Sequence, residues 1–298
     1  MATRIAWVLN LDADLELATR GAGYSPKKSV LTAMEPMVAR LAAVLLGPND
    51  VLVDGANARG LAGRAFCPTP RALKLLAAAG AIPEPHPPVD VLRRVNSRAF
   101  ASAMGTTLPS ARFVTSLDDA RAMLRALPAV GCGWRIKRAF GMTGRGQRPV
   151  DTGAASDADL AFVRAGLAEG GVQIEPNVAI VDEYAIHGML DQEGTHRLGV
   201  VVKQHCDARG SWLATERISE PTAEERAIAA RLAEEAARVA EALRREGYFG
   251  PFGIDAYTYR DPSGSVALQP RSEINARYTM GFAFGFMAGQ KLGYFASS

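Results

Sequence analysis

Short apolar runs alternate along this chain with longer stretches whose apolar residues recur at helical spacing. The runs at residues 5–11 and 51–54 stop at Asp12 and Gly55, as short buried strands do. Between them, residues 30–46 predict a helix. Thr69 followed by Pro70 predicts a second helix start, and Gly80 its end. Proline recurs through residues 82–89, which excludes helix or central strand there and predicts a rigid connector.

Ser116, with Asp119 three residues on, opens a further helix that ends before Pro128. Residues 134–138 read as a strand entering a glycine-rich turn, and 156–168 as a helix closed by Gly170 and Gly171. Short strands are expected at 173–174 and 179–181, flanking Pro176-Asn177. A hairpin is expected to join 198–204 to 211–215 across residues 207–210. Thr222 and Glu225 form a capping box at the head of the longest helix, which should run to about Glu246 and stop at Gly247. This alternation predicts an α/β fold. Breaks are expected near residue 110, after Leu108-Pro109, and near residue 186.

Composition narrows the picture. The 298 residues are 48% hydrophobic and 22% charged, enough for two lobes or one extended α/β unit around a real core. The formal charge is only +3 and no basic block occurs, so nucleic acid is not expected as a partner. A pI near 8.8 agrees with anionic small-molecule substrates. Cys67, Cys132 and Cys206 are scattered and odd in number, which argues against a disulfide framework and for a reducing compartment. Met-Ala-Thr-Arg leads directly into a strand-like run, without the apolar region of a secretion signal. The longest apolar stretch, residues 278–286, falls short of the roughly 18 residues that span a bilayer. A cytoplasmic protein without membrane contact is expected.

Two segments carry candidate chemistry. In the first, a strand delivers Lys137, and Gly141, Gly144 and Gly146 follow within nine residues. Such glycines let backbone N–H groups approach phosphate oxygens while the lysine adds a point charge; a glycine-rich hairpin serving structure alone is the competing reading. No Walker A loop is present. In the second, Gly253-Ile-Asp255 precedes Ser272-Glu-Ile-Asn-Ala-Arg277. Strand alternation puts Glu273 and Asn275 on one face, so that with Asp255 on a neighbouring strand they could form an all-oxygen Mg2+ site. Arg277 continues the same parity and could grip a phosphoryl group bidentately. A purely structural Glu273–Arg277 pairing competes.

Taken in this order over residues 94–280, the two segments resemble the ATP-grasp superfamily. The resemblance implies a Rossmann-like lobe over 1–110, a central lid subdomain over 111–185 and a C-terminal grasp subdomain over 186–298. It implies ATP and Mg2+ as cofactors. Lys137 resembles the lysine that contacts the α- and β-phosphates, and Gly141, Gly144 and Gly146 the mobile loop that would close water out. Glu175 and Asn177, in Gln173-Ile-Glu-Pro-Asn177, resemble the adenine-reading hinge. Glu183 resembles the ribose-holding glutamate, and Asp255, Glu273 and Asn275 the Mg2+ ligands. Arg277 resembles the arginine of the Glu-x-Asn-x-Arg motif, which steadies the transferring phosphoryl group or the acyl substrate.

The chain departs from the family pattern in places. Arg98 stands where the family usually has a second lysine, keeping charge but changing donor geometry. The lysine after the hinge is matched by either Lys203 or Arg217. Arg271 is a further candidate substrate contact. In the N-terminal lobe Asn10, Asp12, Asp14, Asn57 and Arg59 follow strand-like runs, where they are turn-formers before they are ligands. The four histidines show no zinc spacing.

The resemblance implies an enzyme, a carboxylate–amine ligase that forms an acyl phosphate. Its partners would be a small carboxylate and an amine, with an amino acid or peptide as default, and the chains could pair as a homodimer. A kinase, a thiol-acceptor ligase and a non-catalytic ATP-binding protein are the alternatives.

Overall fold

Three sheets divide the chain in the structure, a computed structural model that describes residues 4–19, 23–55, 57–142, 145–207 and 210–287. The first is parallel, in the order β2-β1-β3-β4, with β1 (Ile5–Val8), β2 (Val51–Leu52), β3 (Ala62–Ala65) and β4 (Ile82–Pro83). Helices α1 (Ala13–Ala18), α2 (Lys28–Leu45) and α3 (Pro70–Ala78) accompany it. The strand β3 was not expected, because Ala-Gly-Arg-Ala carries no β-branched signal. Its place comes from packing: a Cβ on Gly63 would meet Ala81 Cβ and Leu76 Cδ2, each at 3.2 Å. Part of the proline-rich segment becomes β4, which Pro83 tolerates because the strand lies at the sheet edge.

Thr69 occupies the N-cap of α3 and Pro70 follows it, as expected, but the Thr69 side chain caps nothing. Its hydroxyl donates to Glu16 Oε2 at 2.6 Å and accepts from Asn10 Nδ2 at 3.0 Å. Glu16 Oε1 instead accepts the Arg71 N–H at 2.9 Å, so a carboxylate from α1 serves the start of α3.

Helices α4 (Val89–Val95) and α5 (Arg98–Ala103) lead to the second sheet. This sheet is antiparallel, in the order β5-β8-β6-β7, with β5 (Arg112–Val114), β6 (Gly133–Met142), β7 (Arg145–Asp151) and β8 (Val172–Pro176). Its apolar face packs Trp134, Ile136, Val150 and Ile174 with residues of α6 (Leu117–Arg125) and α7 (Asp157–Ala168). Ser116 and Ser156 cap these helices by accepting the N–H of Asp119 and Asp159.

The third sheet runs β12-β11-β9-β13-β14, with β10 paired to β9. Its strands are β9 (Ala179–Leu190), β10 (His196–Leu198), β11 (Val202–Cys206), β12 (Trp212–Arg217), β13 (Gly250–Arg260) and β14 (Val266–Asn275). The strand expected at 179–181 continues to Leu190, so β9 passes unbroken through residue 186 and the change of sheet falls between β8 and β9. The expected hairpin appears as β11–β12. Helix α8 (Ala223–Arg245) has its capping box at Thr222/Glu225 and buries Ile228, Leu232, Ala236, Val239 and Leu243. One core joins the first and third sheets: the Trp7 ring meets Tyr278 edge-on at 5.2 Å, and Tyr278 meets Phe282 at 4.9 Å. Among the described residues no helix is long and apolar enough to cross a membrane.

Arg271 shares the parity of Glu273 but not its surroundings. A bulge separates the pairs Asp255–Glu273 and Tyr257–Gln269, and Arg271 within it turns to Glu235 of α8 and to the Gly105 carbonyl. Arg271 and Glu235 are 4% and 5% exposed, so this is an internal ion pair rather than the expected substrate contact. Breaking one partner of such a pair strands the other charge. Glu235→Ala should therefore cost about 3–5 kcal/mol in urea unfolding. Glu241→Ala, on the exposed part of the same helix, should leave the midpoint nearly unchanged.

Candidate functional site

The antiparallel pairing of β13 and β14 sets Asp255 opposite Glu273 and Gly253 opposite Asn275. Glu273 and Asn275, two residues apart, therefore share the face that Asp255 also occupies. Asn275 Nδ2 donates to Asp255 Oδ2 at 2.8 Å, which leaves the amide oxygen free to bind a cation. Gln204 of β11 donates to Asp255 Oδ1 at 3.3 Å. Burial, and next the Glu273 carboxylate, push the Asp255 carboxyl up to about 7, against the pull of Arg277, Asn275 and Gln204.

Cations surround this acidic pair. Arg98, at the head of α5, donates to Glu273 Oε1 at 2.8 Å and to the Arg138 carbonyl at 2.9 Å. A Cβ on Gly141 would come within 2.8 Å of Arg98 Nη1, so glycine is what lets the guanidinium lie against β6. Lys137 Nζ sits 2.6 Å from Glu175 Oε1 across β6 and β8. Arg277, just beyond β14, is bidentate to Asp14 of α1, with 3.3 Å to Oδ1 and 2.6 Å to Oδ2. Its guanidinium lies 5.3 Å over the Phe66 ring. Burial opposes charge on Arg277, but Asp14 more than offsets it and holds the guanidinium protonated.

These groups line one cleft of about 500 Å3 between the three sheets. Lys137, Gly141, Gly146, Glu175, Glu183, Asp255, Glu273, Asn275, Arg98 and Arg277 all border it. Gly146 adopts a left-handed φ of 82°. Gly144 lies outside the described residues. Asn177 stands back from the cleft, its Oδ1 accepting from Arg135 Nη2 at 2.7 Å. Neither open candidate for the lysine after the hinge borders the cleft. Lys203 is held by Glu225 at 2.8 Å and Asp182 at 3.9 Å, and Arg217 is exposed.

Sequence reading passed over several lining residues. Arg135 stands two residues before Lys137 on the same strand, so alternation alone would have put it on the same face. Gln204 takes the place in β11 considered for Lys203, one residue away and on the other face. Asp14 was read first as a turn-former, whereas its carboxylate is 263 residues from the arginine it holds, and no local pattern shows that. Asn57 serves local structure by accepting the Arg59 N–H, whereas the Asn10 side chain ties β1's end to Cys67, 57 residues on. His187 is buried and neutral, its imidazole pushed down to about 3 by burial. Among the described residues no three His, Cys, Asp or Glu side chains converge on a metal position. The donor set at β13–β14 is instead two carboxylates and an amide, which suits Mg2+, a cation that takes one or two protein carboxylates and completes its shell with phosphate and water.

No family model and no curated protein sequence matches the chain. Solved structures do. A biotin carboxylase–β,γ-ATP complex from Campylobacter jejuni aligns with 95% of this chain and 67% of its own, at TM-score 0.55 and 13% identity. The N5-carboxyaminoimidazole ribonucleotide synthetase of Thermus thermophilus aligns with 92% and 71%, at TM-score 0.50 and 15% identity. The pyruvate carboxylase of Rhizobium etli aligns with 92% of this chain but 24% of its own, at TM-score 0.50 and 19% identity. The chain has the ATP-grasp fold. At such identities the likeness is one of fold, and what the grasp holds here must be argued from the residues of this cleft.

The strained Asp255 carboxyl has a measurable consequence. It titrates near 4 in an unfolded chain and near 7 in the grasp fold, so between those values the folded state holds the extra proton. Stability should therefore fall as pH rises from about 4 to about 7 and level off above. With chelator present, Asp255→Asn should raise Tm at pH 8 and converge with wild type toward pH 4. Equal Tm at pH 8 would show that the carboxylate is not under strain.

Proposed function

We propose that this chain is an ATP-dependent carboxylate–amine ligase. The observation that carries the reading is convergence. A lysine from the second sheet, an arginine from α5, an arginine locked to the N-terminal lobe, and a carboxylate–carboxylate–amide set from the third sheet all meet in one cleft. Such a set suits phosphoryl transfer, where charge spreads over oxygen atoms and the protein mainly positions and neutralises. ATP complexes among proteins of the same fold support placing the nucleotide here.

In this reading a carboxylate oxygen of the first substrate attacks the γ-phosphorus of ATP. The bond from the γ-phosphorus to the bridging oxygen breaks, and ADP leaves with its electron pair. The amine then attacks the carbonyl carbon of the acyl phosphate, loses a proton, and expels phosphate that carries one original carboxylate oxygen. Lys137 and Arg98 hold phosphate oxygens, exchanging their present carboxylate partners for the nucleotide. The backbone around Gly141 and Gly146 lies against it. Glu175 and Glu183 contact its nucleoside part. Asp255, Glu273 and Asn275 hold Mg2+, which when bound neutralises charge between the phosphates. Arg277, kept charged and oriented by Asp14, offsets charge on the transferred group.

We further propose a division into an N-terminal lobe over 1–110, a central subdomain ending between β8 and β9, and a C-terminal subdomain beyond it. A small carboxylate and a small amine are the substrates, with amino acids or short peptides tested first, and the protein acts in the cytoplasm. Pairing of two chains through the N-terminal lobe is supported by Ile82, 66% exposed on the edge strand β4.

Calorimetry with Mg-ATP should show binding that Lys137→Ala weakens about 10- to 100-fold, the range of a charged hydrogen bond at about 1.5–3 kcal/mol. With an 18O-labelled carboxylate that supports ADP release, the label should appear in inorganic phosphate. Label retained wholly in the organic product would point to a kinase, and Mg-ATP affinity unaltered by Lys137→Ala would remove the nucleotide assignment.

A further inference from the structure

A second cavity, about 490 Å3, lies behind Arg277 and Phe66, which form part of the wall of both this cavity and the cleft. It is lined by residues 63–66, at the carboxyl end of β3, and by residues 84–87, just past β4. Open parallel sheets place ligands at this end of their strands. On the far side stand the end of β9 and the start of β13. It is a depression open to solvent, of a size that small-molecule sites commonly have.

Its lining is largely apolar, with Leu73, Leu76, Leu92, Met189 and Tyr248 among the contributors. Set into that lining is one close pair of opposite charges. Arg64 Nε and Nη2 each lie 2.6 Å from the Glu84 carboxylate oxygens, and the two side chains remain 30% and 33% exposed. The guanidinium is braced 5.1 Å over the Trp7 ring, and its positive charge acts on the Tyr278 hydroxyl. A guanidinium has five N–H donors and a carboxylate about four acceptor sites, so the mutual pairing leaves both groups able to bind more. Asp191 and Glu193 add negative charge at the rim.

An apolar hole with a fixed, partly open cation–anion pair on one wall is complementary to a molecule with an apolar body and both charges at one end. We propose that this cavity binds an apolar α-amino acid. Its carboxylate meets Arg64, its ammonium meets Glu84 on the acidic side, and its side chain lies among Leu73, Leu76 and Met189. A partner with only one charge would leave one member of the pair unanswered and forfeit a charge-assisted hydrogen bond. Arg277 and Phe66 stand between this cavity and the cleft, so a role for the amino acid as substrate rests on the ligase reading, whereas occupancy of the cavity does not.

The test is calorimetry on the full chain with L-leucine and L-phenylalanine, and with phenethylamine and 3-phenylpropionate as probes that each lack one charge. The amino acids should bind, and the singly charged probes at least about tenfold more weakly. Leu73→Trp, which fills the cavity, and Glu84→Gln, which removes the anion, should each weaken binding at least about tenfold, with circular dichroism and Tm verifying the fold. No heat from either amino acid at tens of millimolar, about the weakest binding that matters, would overturn the inference. So would affinity indifferent to both variants, or a singly charged probe that binds as well. Mg-ATP titrated into the same wild-type sample separates the two readings. Nucleotide binding without amino acid binding sinks this inference alone, and the reverse sinks the nucleotide assignment alone.

Discussion

Two carboxylates held side by side across a pair of antiparallel strands are the constraint around which the cleft is arranged. The β13–β14 register leaves Asp255 and Glu273 no freedom to separate, because sliding one strand by one residue would turn its side chains to the wrong face. Burial makes the juxtaposition costly, and the raised Asp255 carboxyl expresses that cost. A pair so placed is a standing attraction for positive charge. Arg98 answers it from one side, and the proposed Mg-nucleotide completes the answer.

The other cations follow the same logic of borrowed partners. Lys137 is held by Glu175, Arg98 by Glu273 and Arg277 by Asp14, each pair joining different elements. These acids keep long, flexible cationic side chains aimed into the cleft, reducing the rotamer freedom that a ligand would otherwise have to remove. Asp14 does more than aim. It comes from α1, so the first sheet and the third are joined electrostatically at Arg277 as well as through the apolar core around Trp7 and Tyr278. Orientation of Arg277 is thereby tied to the placing of α1 beside the first sheet.

What the sequence made legible was local or periodic. The caps at Ser116, Ser156 and Thr222 close hydrogen bonds within three residues, so spacing reveals them. Alternation grouped Glu273 with Asn275, and the order of motifs suggested the grasp architecture. What it hid was non-local. Strand β3 has no β signal and exists through packing against Leu76 and Ala81. Glu16 rather than Thr69 serves the start of α3 from 55 residues away. Arg271, expected as a substrate contact, turns instead to Glu235 because a bulge interrupts the ladder beside it. Asp14 could be seen as a partner for Arg277 only after the chain had been folded.

Electron paramagnetic resonance of Mn2+, standing in for Mg2+ with ATP present, tests the central claim most directly. Wild type should take up Mn2+ in a nucleotide-dependent way, quenching the signal of the free ion. Glu273→Gln combined with Asp255→Asn should weaken that uptake at least about tenfold while Tm shows the chain folded. Equal uptake by wild type and the double variant would contradict the account, because the charged pair at the centre of the cleft would then have no part in holding metal or nucleotide.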